Sequence, residues 1–482
     1  EFDFMLSNPP YGKSWKKDLE AMGGKKGIKD LRFKVMHQGE ELSLVTRSSD
    51  GQLLFLANMV SKMNHKTALG SRIAEVHNGS SLFTGDAGQG ESNVRRYIIE
   101  NDWLETIVAL PLNMFYNTGI ATYIWVLSNK KAAHRKGKVQ LIDATQWFKP
   151  LRKNLGKKNC ELLADEIAKI CDTFLKFEQT DQSKIFPNEA FGYRKITVER
   201  PLRLHSQLTP TVIDNLRFAS GDKEIRTALH AQLGDKLFTD FVEVRPELEK
   251  ALAEWGGAAD ESDTDDDEDE AEGEATPAAS GLPAKQKKKL LDAKTWARYW
   301  RLYETATALR DELGGEVFTD HNVFRKQVDS VVKKAELKIT AAELKVLLRE
   351  VSHRVETAAP VIAKTHKPNK AKADPLRGLF EETIDGKKCV VEYEPDSDLR
   401  DTEQVPLQED VEAFLCREVL PYTPDAWYDD SQTKIGYEIS FTRHFYKPQP
   451  LRTLDEIRRD IMNLEKETEG LLSEIVGGGR QR

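Results

Sequence analysis

The sequence predicts an α/β domain over residues 1–150, followed by a mostly α-helical region that ends in a coiled-coil-type helix. Short apolar runs alternate with helix-like periodic segments over the first 150 residues, a pattern typical of α/β folds. Beyond residue 150, apolar residues recur at three- and four-residue steps, which indicates helices. The last of these stripes keeps a heptad spacing close to the end of the chain.

The elements expected within the first 150 residues follow in order. A buried strand over 2–6 leads into a loop rich in lysine and glycine at 13–30. Further strands are expected at 72–76, 106–110, 123–127 and 138–143, and helices at 53–63 and 93–101. Alternation of this kind is consistent with half of a doubly wound sheet.

The rest of the chain divides into four parts. A helical extension over 151–255 precedes an acidic, low-complexity linker at 256–289, and a mostly helical region over 290–450 precedes a terminal heptad helix at 451–476. Within 290–450, a short strand at 387–393 follows the turn Asp385-Gly386. The apolar side chains expected in the core of this region are Trp296, Trp300, Phe324, Val328, Val331 and Leu347.

Charge is distributed unevenly along the chain. The net charge is −8, but residues 260–274 alone contain eleven acidic and no basic side chains, which leaves +3 for the remainder. A phosphate-binding surface is therefore permitted outside the linker. The linker itself is expected to be a solvated tether, and the alternative is that it mimics nucleic acid or restrains a basic surface.

Length and composition exclude several classes of protein. A chain of 482 residues is long enough for about two to four domains, and no apolar run approaches the roughly 18 residues that cross a bilayer. We therefore expect no membrane contact and a cytoplasmic location. The four cysteines, Cys160, Cys171, Cys389 and Cys416, form no CxxC pair and have no nearby histidine at metal-binding spacing. They are expected to be reduced thiols, and no metal site is predicted.

The terminal helix has the clearest sequence signature. Thr453 and Glu456 predict a capping box, and the glycines at 477–479 predict the end of the helix. An isolated helix with one apolar stripe needs a partner surface for stability. Two interpretations remain open: packing against its own domain, or contact with a helix of another subunit. The apolar stripe consists of Leu454, Ile457, Ile461, Leu464, Thr468, Leu471 and Ile475.

Residues Asn8, Pro9, Pro10 and Tyr11 are the main candidates for catalysis. Two consecutive prolines fix φ and lack N–H groups, so their carbonyl oxygens are available as hydrogen-bond acceptors. Asn8 adds a side-chain oxygen, and Tyr11 adds an aromatic face for stacking. The tetrapeptide is therefore suited to hold a planar amide or amine. The alternative is an ordinary turn, since Asn-Pro commonly starts one.

Further segments follow this tetrapeptide along the chain. They are GQLLFL at 51–56, GESNVRR at 90–96, NMFYNTGI at 113–120, GYRKITVERPLR at 192–203 and GYEISFTRHFY at 436–446. Together with the terminal heptad helix, they resemble the methylation subunit of type I restriction-modification enzymes, a family of adenine-N6 DNA methyltransferases. The tetrapeptide alone is shared with methyltransferases that act on cytosine N4 or on glutamine side chains. The C-terminal segments make the resemblance more specific.

The resemblance implies that residues 1–150 are the C-terminal half of a Rossmann-like methyltransferase domain. It implies S-adenosylmethionine as the methyl donor and DNA as the substrate, with a flipped adenine as the target. The family's glycine-rich donor-binding motif is expected before residue 1, with Asn8 as a further candidate contact, so this chain alone is expected to be inactive. The glycine-rich segment at 85–90 is interpreted as a flexible loop beside the active site, because no clean strand end precedes it.

By the same resemblance, Tyr11 and Phe115 are expected to stack on the two faces of the target base. Phe115 has a competing interpretation as a core aromatic between Leu112 and Ile120. The family implies two protein partners: a specificity subunit, held through the C-terminal helix, and a restriction subunit. Phosphate contacts near the pocket are expected at most from Lys13, Lys16, Lys17, Lys25, Lys26 and Lys29.

Two other functions remain open. The chain could be a non-catalytic assembly module or a degenerate scaffold that contributes helices and part of a pocket but binds no methyl donor. It could also be a protein-glutamine methyltransferase, although that activity does not account for the long helical C-terminal region.

Overall fold

The computed structural model describes residues 1–10, 12–116, 118–219, 221–255, 282–367, 370–446 and 452–477. Internal contacts divide the chain into two units. The first unit consists of Glu1–Lys195, Gln404–Asp410 and Lys434–Arg482, and the second of Ile196–Glu403 and Val411–Thr433. No helix in the described ranges is both long and apolar enough to cross a membrane.

Strands and helices are numbered here in chain order. The strands are β1 (Phe4–Ser7), β2 (Lys34–His37), β3 (Glu40–Ser43), β4 (Arg72–Asn78), β5 (Leu104–Ala109), β6 (Thr122–Ser128), β7 (Lys138–Asp143), β8 (Lys149–Leu155), β9 (Lys158–Glu161), β10 (Ser183–Pro187), β11 (Gly192–Glu199), β12 (Leu204–Ser206), β13 (Ser352–Arg354), β14 (Ile362–Thr365), β15 (Leu379–Ile384), β16 (Lys387–Tyr393), β17 (Asp401–Pro406), β18 (Trp427–Tyr428) and β19 (Lys434–Tyr437). The α-helices are α1 (Lys16–Ala21), α2 (Gln52–Val60), α3 (Ser80–Phe83), α4 (Gly90–Glu100), α5 (Ala164–Lys176), α6 (Pro210–Asn215), α7 (Lys223–Leu233), α8 (Lys236–Thr239), α9 (Phe241–Glu254), α10 (Ala284–Leu290), α11 (Ala293–Leu313), α12 (His321–Lys334), α13 (Ala341–Glu350), α14 (Val411–Phe414), α15 (Phe441–Phe445) and α16 (Leu454–Gly477).

The first unit is built on a six-stranded mixed sheet with the strand order β1-β4-β6-β5-β7-β10. Strands β1, β4, β5 and β7 run parallel, whereas β6 and β10 are antiparallel to their neighbours. All four parallel strands therefore end at the same edge of the sheet. The α/β class predicted from the alternation of strands and helices is confirmed.

Helices cover both faces of this sheet. On one face, Leu56 of α2 and Ile98 of α4 join Trp125 of β6 in the main core. On the other face, Phe174 of α5 packs against a smaller cluster that includes Ile142 of β7. All six residues of β5 are buried, as expected for a strand that is covered on both sides.

Strand β1 occupies an edge of the sheet, and half of its side chains face solvent. Phe4 is 68% exposed and Leu6 is 84% exposed, so the expectation of a buried strand over 2–6 is wrong for the described chain. The physical reason is that β1 pairs with β4 on one side and, among the described residues, with no strand on the other. Met5, which points to the opposite face, packs partly against the main core.

The other elements expected in the first 150 residues are present. Strands β4, β5, β6 and β7 and helices α2 and α4 lie at the expected places, with ends shifted by up to three residues. The segment at 13–30 differs from the expected loop because α1 forms within it. Leu19 of α1 is buried with Ile28 and Val45, and this small apolar cluster stabilises the helix.

The second unit is mostly helical up to residue 350. Its central helix is α11, in which Trp296, Leu302 and Leu309 are fully buried. The Trp296 Nε1–H donates a hydrogen bond to the carbonyl of Leu290 at 2.8 Å. Of the side chains expected in this core, Trp300 is partly buried and the others are buried.

Two regions that were expected to be helical contain strands. Residues 151–206 hold parts of β8 to β12 besides α5, and residues 352–437 hold β13 to β19. These strands are short, and several pair with distant segments, as β12 does with β13, so local periodicity does not indicate them. The boundary between the two units falls at Lys195 and not at residue 150. Most of the expected linker, 256–281, lies outside the described residues.

Two local sequence signals are confirmed in detail. The strand expected at 387–393 is β16, and the preceding residues Asp385 and Gly386 both have positive φ, as a two-residue hairpin turn requires. At the start of α16, the Thr453 N–H donates to Glu456 Oε2 at 2.8 Å, and the Glu456 N–H donates to Thr453 Oγ1 at 3.3 Å. This is the predicted capping box. The side chains of Leu471 and Ile475 and the glycines at 478–479 lie outside the described residues.

Candidate active site

Loops that follow the four parallel strands lie together at one edge of the first unit's sheet. Residues 8–10 follow β1, residues 79–89 follow β4, residues 110–121 follow β5 and residues 144–148 follow β7. Ligands of open α/β sheets bind outside the carboxyl ends of the parallel strands. We therefore take this edge, called the carboxyl edge below, as the candidate active site.

The segment Asn8 to Pro10 leaves β1 at the carboxyl edge. Asn8 and Pro10 are exposed, whereas Pro9 is buried, and Ser7 just before them pairs with Glu75 of β4. No hydrogen bond within the described residues occupies the Asn8 side chain or the Pro9 carbonyl. Both expected acceptors are therefore without a hydrogen-bond partner in the described chain, and Asn8 is the one whose residue is exposed. Tyr11 lies outside the described residues, and its stacking role stays a prediction.

Trp15 anchors the chain that follows these residues. Its Nε1–H donates to the carbonyl of Arg47 at 2.9 Å, and its backbone N–H donates to the carbonyl of Ser48 at 2.9 Å. Gly51 lies directly against the indole, because a Cβ there would be 3.2 Å from Trp15 Cδ1. The loop after β1 and the loop before α2 are thus held together close to the carboxyl edge.

Gln52 forms the centre of a buried polar network at the end of β4. Its Nε2 donates to Asp50 Oδ2 and to Asn78 Oδ1, both at 2.7 Å, and to Ser80 Oγ at 3.0 Å. Its Oε1 accepts from the backbone N–H of Asn78 at 3.1 Å. A side-chain amide that is satisfied on both ends fixes the loop after β4 relative to α2. The sequence did not lead us to predict this role of Gln52. A polar glutamine within the otherwise apolar segment GQLLFL is the signal that could have indicated it.

His77 extends this network into the sheet. His77 and Glu75 both have 0% exposure, with 3.3 Å between His77 Nε2 and Glu75 Oε2. The other ring nitrogen, Nδ1, lies 3.2 Å from Gln52 Oε1, and the imidazole packs edge-on against Trp125. His77 Nε2 and both carboxylate oxygens of Glu75 have no hydrogen-bond partner among the described residues, so the hydrogen-bonded network ends at His77.

A small polar cavity opens beside Gln52. It measures about 10 Å³, which is room for about one water molecule. The polar side chains around it come from Arg47, Asp50, Gln52, Ser80, Ser81, Thr84 and Glu91. A cavity of this size is too small for a base or a nucleoside cofactor.

The loop after β5 contributes two adjacent aromatic residues with different environments. Phe115 is partly buried and packs against the cluster that includes Val108 and Ile142. Tyr116 is 65% exposed. The structure thus gives Phe115 a packing contact, as its competing interpretation expected, and places an exposed aromatic next to it that sequence reasoning did not single out. Asn117 lies outside the described residues.

The candidate residues share one edge but are not in contact. Two strands, β4 and β6, separate β1 from β5 in the sheet. With about 4.8 Å between neighbouring strands, the Asn8 segment and the loop of Phe115 start about 14 Å apart. This separation is wide enough for a flat ligand to lie between the two loops.

Arg95 fixes the segment at 81–85 through hydrogen bonds to its backbone carbonyls. It is fully buried and donates hydrogen bonds to the carbonyls of Ser81 at 3.0 Å, Thr84 at 2.8 Å and Tyr437 at 2.5 Å. Burial lowers the pKa of Arg95 to about 10, so the guanidinium stays charged at neutral pH. Its hydrogen bonds connect α4 to β19 and to the loop after β4.

The glycines at 85–90 allow the backbone to pack closely against neighbouring residues. Gly85 has φ of +87°, and a Cβ on Gly90 would be 1.9 Å from the carbonyl oxygen of Val45. The loop follows the short helix α3 and not a strand, which agrees with its interpretation as a loop and not as a donor-binding motif. Asp86 pairs with Lys195 across the loop. The loop is thus tied to its surroundings at several points.

The candidate site thus combines hydrogen-bond acceptors and an exposed aromatic residue at the carboxyl edge of an α/β sheet. Comparison with known proteins shows what the chain is similar to. Residues 1–190 match the model of the family described as N-6 DNA methylase. This match supports the resemblance to adenine-N6 methyltransferases that the sequence motifs indicated.

Relatives with curated descriptions are methylase subunits of type I restriction enzymes. The MjaIX methylase subunit of Methanocaldococcus jannaschii is 29% identical over 211 residues, which cover 43% of this chain and 34% of that protein. The HindI methylase subunit of Haemophilus influenzae is 30% identical over 178 residues, which cover 34% of this chain and 36% of that protein. The chain thus spans about a third of the length of the curated relatives that it matches.

Two solved structures have a likeness to part of this chain. The methyltransferase subunit of a type I restriction-modification system from Streptococcus thermophilus is 24% identical, with a TM-score of 0.31 and coverage of 40% of this chain and 36% of that chain. A modification subunit of a putative type I restriction enzyme from Vibrio vulnificus is 17% identical, with a TM-score of 0.28 and coverage of 38% and 33%.

Proposed function

We infer that this chain forms the base-binding part of a type I modification subunit, which transfers a methyl group from S-adenosylmethionine to adenine N6 in DNA. The observation that supports this most directly is the pair of free acceptors, the Asn8 side chain and the Pro9 carbonyl, at the carboxyl edge of a sheet in the N-6 DNA methylase region. Adenine N6 carries two hydrogens, one for each acceptor.

Chemistry at these acceptors follows from the electronic structure of adenine. The amino nitrogen is a poor nucleophile, because its lone pair is conjugated into the ring. Acceptors aimed at both N–H groups favour a pyramidal nitrogen and stabilise the positive charge that develops on it during methyl transfer. The proton that the nitrogen must lose leaves to solvent after the transfer. The proline backbone keeps the carbonyl in place, so no reorganisation is needed during the reaction.

The target adenine must leave the DNA helix to reach these acceptors. Unstacking costs a few kcal/mol, which a pocket offsets with stacking and hydrogen bonds. Tyr11 is the proposed contact on one face of the base. Phe115 is the proposed contact on the other face, and Tyr116 joins it as a candidate because its ring is exposed. Both belong to the loop after β5, at the same edge as Asn8.

We do not assign the methyl-donor site to the glycine-rich loop at 85–90. The glycine-rich loop at 85–90 follows α3, and its glycines are used for close packing against Val45 and Glu91. Asn8 remains the one predicted donor contact at the carboxyl edge. S-adenosylmethionine would supply the methyl group. The residues described here would bind and orient the target adenine.

The proposed role implies partners. A specificity subunit would bind through α16, where the side chains of Ile461 and Leu464 are more than half exposed. A restriction subunit would join the same assembly. DNA modification of this kind also implies a cytoplasmic location.

Methyl incorporation from labelled S-adenosylmethionine tests the proposal. The full-length protein, assembled with its specificity subunit, is incubated separately with unmethylated duplex DNA and with protein acceptors. We expect label in DNA, recovered as N6-methyladenine after digestion. Label in glutamine of a protein acceptor would instead support the protein-methylating alternative. An assembled complex that labels neither acceptor would support the non-catalytic assembly module.

A further inference from the structure

Residues 12–34 form a strongly basic segment in an acidic protein. The segment contains eight basic and three acidic side chains, a local balance of +5 in a chain of net charge −8. It starts two residues after Pro10, so it is the first folded part of the chain beyond the free acceptors. We call this segment the lysine platform. The lysines that define it are Lys13, Lys16, Lys17, Lys25, Lys26 and Lys29.

The lysine platform is folded around a small core of its own. Leu19 of α1 and Ile28 are buried against Val45, with Trp15 and Phe33 packed beside them. This core and the hydrogen bonds of the Trp15 indole and backbone attach the platform to the loop at 45–51. The lysines are therefore carried on an ordered surface at a fixed place relative to Asn8.

Glycines allow the platform to fold tightly between its two groups of lysines. Gly23 and Gly24 have φ of +83° and +73°, and Gly27 leaves no room for a side chain, since a Cβ would lie 2.1 Å from the Met22 carbonyl oxygen. The backbone N–H of Gly24 donates to the Leu19 carbonyl at 2.9 Å and so closes the end of α1.

Charges on the platform are left without internal partners. All six lysines are exposed, and none has an ion pair with another described residue. The neighbouring cations differ in this respect: Arg32 is paired with Asp30, which lowers the pKa of that carboxyl to about 2, and Lys34 lies 3.7 Å from Glu41. Six like charges on a rigid surface repel one another, and a polyanion with regularly spaced charges would relieve that repulsion.

We propose that the lysine platform binds the phosphate backbone of duplex DNA and so holds the duplex beside the base-binding residues. Duplex DNA carries about one negative charge per 1.7 Å of its axis, so neighbouring phosphates meet several lysines at once. The contact carries no sequence information and positions the helix. The proposal rests on the proposed function for the identity of the polyanion, but the binding itself requires no methyl donor.

Binding of a fluorescently labelled duplex tests the proposal. The full chain is titrated without S-adenosylmethionine, and the dissociation constant is measured over a range of salt concentrations from about 50 to 200 mM. The test variant replaces Lys25, Lys26 and Lys29 by glutamine. The matched control replaces Lys333, Lys338 and Lys345 by glutamine, which removes the same charge from three exposed lysines of the second unit.

We expect the test variant to bind the duplex about tenfold or more weakly at the lower salt concentration. Its plot of log K against log salt should be less steep by about 0.9 for each phosphate that the variant no longer neutralises. The control variant should bind as the unmodified chain does. Equal weakening in both variants, an unchanged salt slope, or no duplex binding by the unmodified chain would overturn the proposal.

Three controls accompany the binding measurement. Circular dichroism and thermal unfolding show whether the test variant is folded, and a second variant that replaces Lys13, Lys16 and Lys17 by glutamine should also bind the duplex more weakly. An acidic peptide used as competitor shows whether the platform prefers protein: displacement of DNA at equal charge concentration would contradict the proposal. Lysine-dependent duplex binding in a protein that never methylates DNA would refute the proposed function and leave the platform in place.

Discussion

At the residue scale, Asn8 is the most direct test of the chemistry. Removing its side-chain oxygen with Asn8→Ala should lower the rate of methyl transfer by about 100-fold or more, the loss seen when one preorganised stabilising group is removed from an active site. Because Asn8 is exposed, folding and subunit assembly should be unaffected. Single-turnover methylation by the full-length protein gives the rate, and size-exclusion chromatography reports assembly.

A matched control for Asn8 is Asn154→Ala, which removes an exposed asparagine from β8. The control should methylate DNA at the unmodified rate. If Asn8→Ala lost assembly while the remaining complex kept its rate, the segment Asn8 to Pro10 would be a structural turn and not an active site.

Substitutions of the adjacent aromatics Phe115 and Tyr116 distinguish stacking on the base from packing within the protein. Stacking on a base contributes about 1–3 kcal/mol, so Tyr116→Ala should weaken productive DNA binding by about 5- to 100-fold with little effect on stability. Phe115→Ala should instead lower the free energy of unfolding by about 2 kcal/mol, since the ring is partly buried in the cluster with Ile142. Methylation kinetics at varied DNA concentration and urea unfolding measure the two effects. Suppose that Tyr116→Ala greatly lowers the free energy of unfolding but leaves the methylation kinetics unchanged. Tyr116 then does not stack on the base, and the stacking role belongs to Phe115 or to neither residue.

Local chemistry explains which residues the sequence could identify. The acceptors at Asn8 and Pro9 were predictable, because the types of side chain and backbone alone define them. The capping box at Thr453 and the turn at Asp385-Gly386 were predictable for the same reason. Arg95 was not, because its partner Tyr437 is 342 positions away in the sequence. Exposure of Phe4 and Leu6 also depends on the position of β1 in the sheet, which a local pattern does not contain.

At the element scale, α4 is held in place by Arg95. Replacement by methionine keeps a long apolar side chain but leaves the buried carbonyls of Ser81, Thr84 and Tyr437 without a donor. Each unsatisfied buried group costs about 1–3 kcal/mol, so Arg95→Met should lower the free energy of unfolding by at least about 3 kcal/mol. Urea unfolding followed by circular dichroism measures this change.

The control for Arg95 is Arg32→Met, at an exposed arginine that pairs with Asp30. Exposed ion pairs contribute about 0–1 kcal/mol, so this variant should unfold almost as the unmodified protein does. Similar losses of stability in both variants would mean that the carbonyls around Arg95 find other donors or water.

The start of α12 should respond to pH. His321 is buried there, with Nδ1 at 2.8 Å from Ser206 Oγ and 3.3 Å from Ser352 Oγ. Burial lowers the pKa of His321, Arg325 lowers it further, and Asp320 opposes the shift in part. The unfolded chain therefore binds a proton below pH 6.5, the ordinary value, while the folded chain still does not. The contribution of His321 to stability is complete above that pH and is lost as the pH falls toward its folded pKa.

Hydrogen exchange of peptides from α12 should therefore accelerate, beyond the intrinsic pH effect, as the pH falls below 6.5, the ordinary pKa of histidine. His321→Gln, which keeps a polar group but cannot be protonated, should abolish this extra acceleration. His65→Gln, at an exposed histidine of the first unit, should leave it unchanged. Extra acceleration that persists in His321→Gln would assign it to another group.

At the scale of the whole molecule, the surfaces that we propose for DNA and for a protein partner lie in different segments of the chain. The lysine platform at 12–34 is basic and follows the segment Asn8 to Pro10, whereas α16 exposes an apolar stripe. Charge favours a nucleic acid on the first surface, and apolar side chains at heptad spacing favour a helix on the second. This arrangement is expected of a subunit that binds DNA at its own active site while a partner subunit recognises the target sequence.

The contact through α16 can be tested by placing a charge in the stripe. Ile461 and Leu464 are 61% and 65% exposed, and burying them against a partner helix would contribute about 1–2 kcal/mol each. Ile461→Asp adds a charge that would be desolvated in that contact, so it should release the specificity subunit during co-purification. Asn463→Asp adds the same charge away from the stripe and should leave the complex whole. Co-elution of the partner with Ile461→Asp at the unmodified ratio would show that α16 packs elsewhere, and the apolar stripe would then have to be explained by its own domain.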